Sequence, residues 1–228
     1  MTGRLSLSIF FIWAITLVLP CPGNAGSAGS RVNEQHANAG SACSKRKDLV
    51  RKLSLLRTMR CSFKEVKTLE MLDEPLITRG RMYYMKPGFV HQDMTSPARQ
   101  SVTIAGGKLK VTNLDLNKSE IMNLSKSKSA QAAVQSVVQV MSGRAALLED
   151  QYECMLSNMG RIVRIILIPR TGLLKKMISR IVVTFDSSLV IKKVEIDEKK
   201  GDKSVMTFTD VVYNKPFSKE EMSKYFDL

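Results

Sequence analysis

The sequence predicts an α+β fold: a curved antiparallel sheet forming a half-open β-barrel, with an α-helical lid over its hollow. Three observations carry this. Strand-like segments come in two runs of about five each, and those of the first run follow one another through tight turns with no helix between them. Helical patterning is confined to one segment ahead of the first run, one or two between the runs, and a short piece at the end. A long meander curls because strands twist, and so few helices cannot cover two faces of a sheet. They can only plug the hollow of one.

The chain begins with a basic Met1–Arg4, an uncharged apolar stretch from Leu5 to Leu19, Pro20, and then small residues in Gly23-Asn24-Ala25. This is the layout of a secretory signal peptide over residues 1–25, cleaved after Ala25. The apolar stretch is shorter than the roughly 20 residues that a spanning helix needs. Pro20, not a small residue, precedes Cys21, which argues against acylation there. Residues 26–44 are small and polar without an apolar period, a flexible lead-in. Residues 45–228 are then expected to form a single domain with a sizeable core.

That domain opens with an amphipathic helix over Lys45–Met59, with Leu49, Leu53 and Leu56 at i, i+4 and i+7. From Cys61 the period changes, and Phe63–Lys67 reads as a strand. RGRMYYMKPGFVHQDMTSP, Arg79–Pro97, reads as two strands broken at Lys86-Pro87-Gly88. Gln100–Ile104 and Lys108–Leu114 flank Gly106-Gly107, a hairpin signal. A short strand near Ile121 ends the first run. Ser125–Gly143 is helical, with Val134, Val137, Val138 and Met141 at i, i+3, i+4 and i+7, a serine to cap its start and Gly143 to end it. Strands resume at Gln151–Ser157, Ile162–Ile168, Ile178–Phe185, Val190–Ile196 and Val205–Tyr213. Ser218–Phe226 begins with a capping box, Ser218-Lys219-Glu220-Glu221.

The formal charge is +14, and because residues 1–25 hold one arginine and no acid, the mature chain stays strongly basic. Such a surface favours anionic partners. Nucleic acid is not expected: the protein is exported, and it has neither a basic helix interleaved with aromatics nor zinc-finger spacing. Three cysteines remain after cleavage, Cys43, Cys61 and Cys154. Cys43 and Cys61 flank a helix roughly 22 Å long, too far apart for a bridge unless the linker folds back. Cys61 and Cys154 both sit on strands and are the better pair for a disulfide; three free thiols is the alternative. No catalytic or metal site is expected, and no cofactor. The mature chain holds only His36 and His91, with no GxSxG, HExxH or phosphate-cradling glycine loop.

In order and spacing, the residues from about Asp48 to Phe226 resemble the LolA family of periplasmic lipoprotein carriers. The resemblance rests on Phe63, Glu65 and Lys67 on one strand, then Pro75-Leu76, Thr78 and Gly80, an aromatic strand, and Lys86-Pro87. It continues through SPARQSVTIAGGKL (Ser96–Leu109), Leu167–Arg170, IVVTFDSSLVIKKVEI, and a closing Phe-Thr-Asp strand with Asn214 and Phe226. It departs where Ala105-Gly106 replaces Asp-Gly, where the strand after that turn lacks an aromatic, where Gln92 replaces a tryptophan, and where His91 stands in place of the usual basic residue.

The resemblance implies a monomeric periplasmic carrier, not an enzyme. It would bury lipoprotein acyl chains between sheet and lid, taking them from an inner-membrane export complex and passing them to an outer-membrane receptor. Each buried methylene contributes about 0.8 kcal/mol, so acyl chains need a cavity that is apolar yet deformable. Twelve methionines remain in the mature chain, unbranched and adaptable. The expected cavity residues are Phe63, Met82, Tyr84, Phe89, Val102 and Ile104 from the sheet and Val134, Val137, Val138 and Met141 from the lid. Met82 and Tyr84 share one face of their strand, Tyr83 and Met85 the other. By the same resemblance Lys86 would tie the rim to lid carbonyls as a gate. His91 would add a pH-sensitive charge at that rim; a plain solvated histidine is the alternative. Two other roles fit this fold: carrying a non-protein lipid such as a glycolipid or polyene ester, and sensing a lipid or lipoprotein as a binding module.

Overall fold

A computed structural model describes residues 51, 54–126, 152–170 and 172–227. Among these, eleven strands form a single antiparallel sheet in the order β6-β5-β4-β3-β2-β1-β11-β10-β9-β8-β7. The first run is β1 (Thr58–Thr68), β2 (Leu76–Met85), β3 (Phe89–Ser96), β4 (Gln100–Ala105), β5 (Lys108–Asn113) and β6 (Lys118–Asn123). The second is β7 (Tyr152–Met159), β8 (Ile162–Pro169), β9 (Ile178–Asp186), β10 (Ile191–Glu198) and β11 (Lys203–Tyr213). Each run is a meander of neighbours in sequence. Among the described residues the one long-range strand pairing joins β1 to β11, from Met59 opposite Tyr213 to Thr68 opposite Lys203. Among the described strands the sheet is open, with β6 and β7 at its two ends.

Two helices are described, α1 (Gly172–Met177) between β8 and β9, and α2 (Lys219–Phe226) at the end of the chain. α1 is not expected from the sequence, because six residues are too few to display a helical period. The segment Lys45–Met59 is cut short: Arg51 and Ser54 are helical, but Thr58 and Met59 already belong to β1, where Met59 lies opposite Tyr84. The helical segment expected over Ser125–Gly143 lies outside the described residues apart from its first two, which finish a 3₁₀ turn, Leu124–Lys126. The signal segment also lies outside them. Among the described residues no helix is long and apolar enough to cross a membrane.

Turn chemistry explains the hairpins. Gly106 and Gly107 join β4 to β5 at φ +54° and +75°, backbone that glycine adopts without a Cβ penalty. At the β9–β10 turn the Asp186 carboxylate accepts from the backbone N–H groups of Ser188 (2.9 Å) and Val190 (3.0 Å). At the start of α2, Ser218 Oγ accepts from Glu221 N–H, and Ser218 N–H donates to Glu221 Oε2, so the capping box is closed in both directions.

Candidate functional site

Alternation along the strands gives the sheet two faces of different character. On one, Tyr84 lies between Met59 and Val90, and Val90 faces Ile104, which faces Leu109. The next row runs Cys61, Met82, Gln92, Val102, Val111. Phe63 and Phe208 meet across β1 and β11, and Glu65 lies opposite Met206. The floor continues through Val194 and Ile196, Ile181 and Val183, then Ile165 and Leu167. Nearly all of these belong to one cluster of buried apolar side chains, and Met82 and Tyr84 are fully buried. Its centre is soft, built on Met59, Cys61, Met82 and Met206, while the wing over β8–β10 is stiff Val, Ile and Leu.

Polar side chains interrupt this floor, among them Gln92, Tyr84, Glu65 and Ser204. Gln92 is 2% exposed, and among the described residues its Nε2 has no hydrogen-bond partner; the Tyr84 hydroxyl is likewise buried without one among them. Burial raises the Tyr84 phenol well above its ordinary range. Each such group costs about 1–3 kcal/mol in desolvation. Glu65 is 4% exposed, and its carboxylate accepts from Ser204 Oγ. Burial raises its pKa, against the opposing pull of Ser204 and Lys67. Neither Gln92 nor Glu65 is among the residues expected in the floor. For Glu65 its parity with Phe63 on β1 was an available signal; for Gln92 there was none, because Phe89, of opposite parity on β3, was expected inward.

Of the expected cavity residues, Phe63, Met82, Tyr84 and Ile104 lie in this cluster and Val102 packs against it. Phe89 does not. It shares the parity of His91, points to the opposite face and meets Phe226 of α2 edge to face at 5.9 Å, so Val90 holds the inward position. Val134, Val137, Val138 and Met141 lie outside the described residues. Lys86 stands at the rim, where its Nζ is 3.4 Å from the Ser54 carbonyl and its backbone N–H donates to Arg57 O at 2.8 Å.

His91 is not a solvated rim group. It is 6% exposed, with Nδ1 2.7 Å from Thr103 Oγ1 and Nε2 3.0 Å from Asp93 Oδ1. What buries it is the C-terminal segment. Tyr225 stacks on Tyr83 at 4.0 Å and 16°, and lies 5.3 Å from the His91 ring. Phe217 and Phe226 complete the cluster, and Arg60 lies 4.2 Å over Phe217 while pairing with Glu221 at 2.8 Å. Burial, reinforced by Tyr225, pushes the Tyr83 phenol up to about 12. The adjacent tyrosines thus have opposite duties: Tyr84 belongs to the apolar floor, and Tyr83 is the landing surface for α2.

The bridge expected between Cys61 and Cys154 is not formed. Cys61 is a free, buried thiol, and four strands separate β1 from β7 in the sheet. Its Sγ lies 3.9 Å from the Met82 carbonyl, and burial pushes its pKa up to about 12.

The sequence matches the family described as "Outer membrane lipoprotein carrier protein LolA" over residues 54–223. A comparison with curated proteins found no match. Among solved structures, similar chains include a LolA superfamily protein from Nitrosomonas europaea (11% identity, 76% of this chain and 95% of that one, TM-score 0.39). LprF from Mycobacterium bovis is also similar (10% identity, 79% and 96%, TM-score 0.42). So is a chain of the MucA/MucB complex of Pseudomonas aeruginosa (13% identity, 78% and 59%, TM-score 0.44).

Proposed function

Because the chain belongs to the LolA family of outer membrane lipoprotein carriers, we propose that it is a periplasmic carrier that holds lipoprotein acyl chains against the apolar floor of its sheet. The observation that supports this most directly is the composition of that floor. A sheet built only for stability would fill its centre with well-fitting branched side chains; this one puts Met59, Cys61, Met82 and Met206 there, side chains that re-pack at low cost around a guest. Among the described residues it also leaves the Tyr84 hydroxyl and Gln92 Nε2 without a partner. Both are donors, and the ester and amide carbonyls of an acylated lipoprotein terminus are the acceptors they lack. Lys86, on the rim at the end of the helical segment before β1, serves as the contact that yields when cargo enters or leaves.

The test is a photo-crosslinking residue at Val102, on the floor, with Lys110 on the opposite face as the control. After irradiation in cells, mass spectrometry identifies the adduct. Acylated N-terminal peptides from several lipoproteins are expected at Val102 and not at Lys110. Free lipid alone would move the cargo to a non-protein lipid, one stable protein partner would make this a sensing module, and crosslinks only within the chain would refute a ligand-binding floor.

A further inference from the structure

α2 covers only part of the face opposite the floor. Beyond it lies an open groove of about 1130 Å³, walled by β1–β4, β11 and the last turn of α2. Strand register sets its polar side chains in two transverse rows. One runs Thr209, Ser62, Arg81, Asp93, Ser101, each opposite the next; the other runs Thr207, Lys64, Arg79. Arg99 and Lys224 also line the groove. Five cations therefore face one carboxylate, and that carboxylate is already engaged by His91 at 3.0 Å.

Neighbouring charges are treated differently. Arg60, further along the same face, is paired with Glu221, and Lys67 lies 3.7 Å from Glu198. Among the described residues none of the five groove cations makes an ion pair. Lys64 and Arg79 are direct cross-strand partners, and like charges in that position destabilise an antiparallel pair. An anion entering the groove removes that cost. The Arg79 guanidinium fork can grip two oxygens, Arg81, which also hydrogen-bonds Tyr83, adds a further guanidinium contact, the Lys64 ammonium adds a point charge, and the hydroxyls of Ser62 and Thr207 donate to what remains, that of Thr209 being turned to Asp210. That donor set suits a tetrahedral, multiply charged oxyanion better than a single carboxylate.

We infer that this groove binds a phosphate-bearing ligand, either a phospholipid headgroup or a soluble phosphate ester, on the face opposite the apolar floor. It is a second site, independent of the acyl-chain reading. The test uses the full exported protein, with Arg79→Gln/Arg81→Gln as the groove variant and Lys175→Gln/Lys176→Gln, two exposed cations on α1, as the charge-matched control. One arm measures flotation with phosphatidylcholine vesicles with and without phosphatidylglycerol. The other titrates glycerol phosphate and follows the groove amides by NMR.

The groove variant is expected to bind about thirtyfold more weakly, from roughly 1 kcal/mol per cation near an anionic surface, while the control stays close to the parent. Loss of vesicle binding identifies a headgroup; loss of saturable glycerol phosphate binding alone identifies a soluble ester. Equal weakening by both variants, or no binding in either arm, overturns the proposal, as would a groove that takes only an acidic peptide. The groove variant relieves the Lys64–Arg79 contact and should melt no lower than the parent. If it does melt lower, Arg99→Gln, exposed and outside the two rows, supplies the same comparison.

Discussion

Replacing Gly80 with alanine puts a methyl group where the sheet has no room. A Cβ on Gly80 would lie 2.1 Å from the Asp93 carbonyl oxygen and 2.8 and 2.9 Å from Cζ and Cε1 of Phe63. The contact with Asp93 falls about 0.9 Å short of the closest approach that real Cβ atoms show. The oxygen cannot swing away, because it is backbone of β3, which is paired to β2 on either side of the β-bulge at Arg79/Gly80. The ring cannot either, because Phe63 lies directly opposite Gly80 and is buried in the floor. Overpacking of this kind costs about 1–3 kcal/mol, and opening a ladder hydrogen bond adds about 1. The lower chain entropy of alanine returns roughly 0.4–1 kcal/mol. With overpacking at the upper end of its range, as a 2.1 Å contact with backbone demands, the expected net loss is about 3 kcal/mol, or roughly 6–12 °C in Tm for a domain of this size. Urea and thermal unfolding by circular dichroism measure it, with Gly106→Ala as the comparison. Gly106 has φ +54° and no atom within 4 Å of a new Cβ, so only left-handed strain of roughly 1–2 kcal/mol applies. If Gly80→Ala melts no lower than Gly106→Ala, the close packing of β1, β2 and β3 described above is wrong.

Glu65→Gln keeps an acceptor for Ser204 and removes a buried charge. Because the folded pKa of Glu65 is raised, its contribution is present below the unfolded value of about 4.3 and lost as pH rises through the folded one. The variant should therefore be more stable than the parent near neutral pH, the gain disappearing in acid; a gain independent of pH in urea titrations would contradict this. A double-mutant cycle of Tyr83→Ala and Tyr225→Ala should return a coupling of about 0.5–1.5 kcal/mol in unfolding free energy for the 4.0 Å stack, and additivity would mean that α2 does not dock there. Ser218→Ala should cost about 1 kcal/mol through loss of the N-cap, read as an earlier loss of the Tyr83–Tyr225 contact on heating. Cys61, buried with its thiol pushed up to about 12, should resist iodoacetamide in the native protein at mildly alkaline pH and react on unfolding; prompt native labelling would place it at the surface.

Much of the strand order is local chemistry and was legible. Gly106-Gly107, Asp186-Ser187-Ser188 and Lys200-Gly201-Asp202 carry turn residues between apolar runs, and the structure turns at each. The Ser218 capping box is complete within four residues. The misreadings cluster where local pattern has two solutions. Leu49, Leu53 and Leu56 keep helical spacing up to a boundary that only the pairing of Met59 with Tyr84 and Tyr213 reveals. Phe89 is a stronger hydrophobe than Val90, yet it faces the other way. Cys61 and Cys154 are both on strands, but sequence carries no measure of the strands between them.

The sequence by itself determined the period of each segment, the turns between them, and therefore a long antiparallel meander with few helices, because those features rest on backbone conformation and on neighbours only a few residues apart. Only the tertiary structure decided which face of that meander is which. Alternation divides Tyr83 from Tyr84 and His91 from Gln92 without saying which member is inward. The answer comes from what lands on each side: the C-terminal segment, more than a hundred residues further along the chain, brings Tyr225 and Phe217 onto Tyr83, Tyr225 beside His91 and Phe226 onto Phe89, which leaves Tyr84 and Gln92 to the floor. Burial is a sum over distant partners, and a strand read alone contains half of that sum.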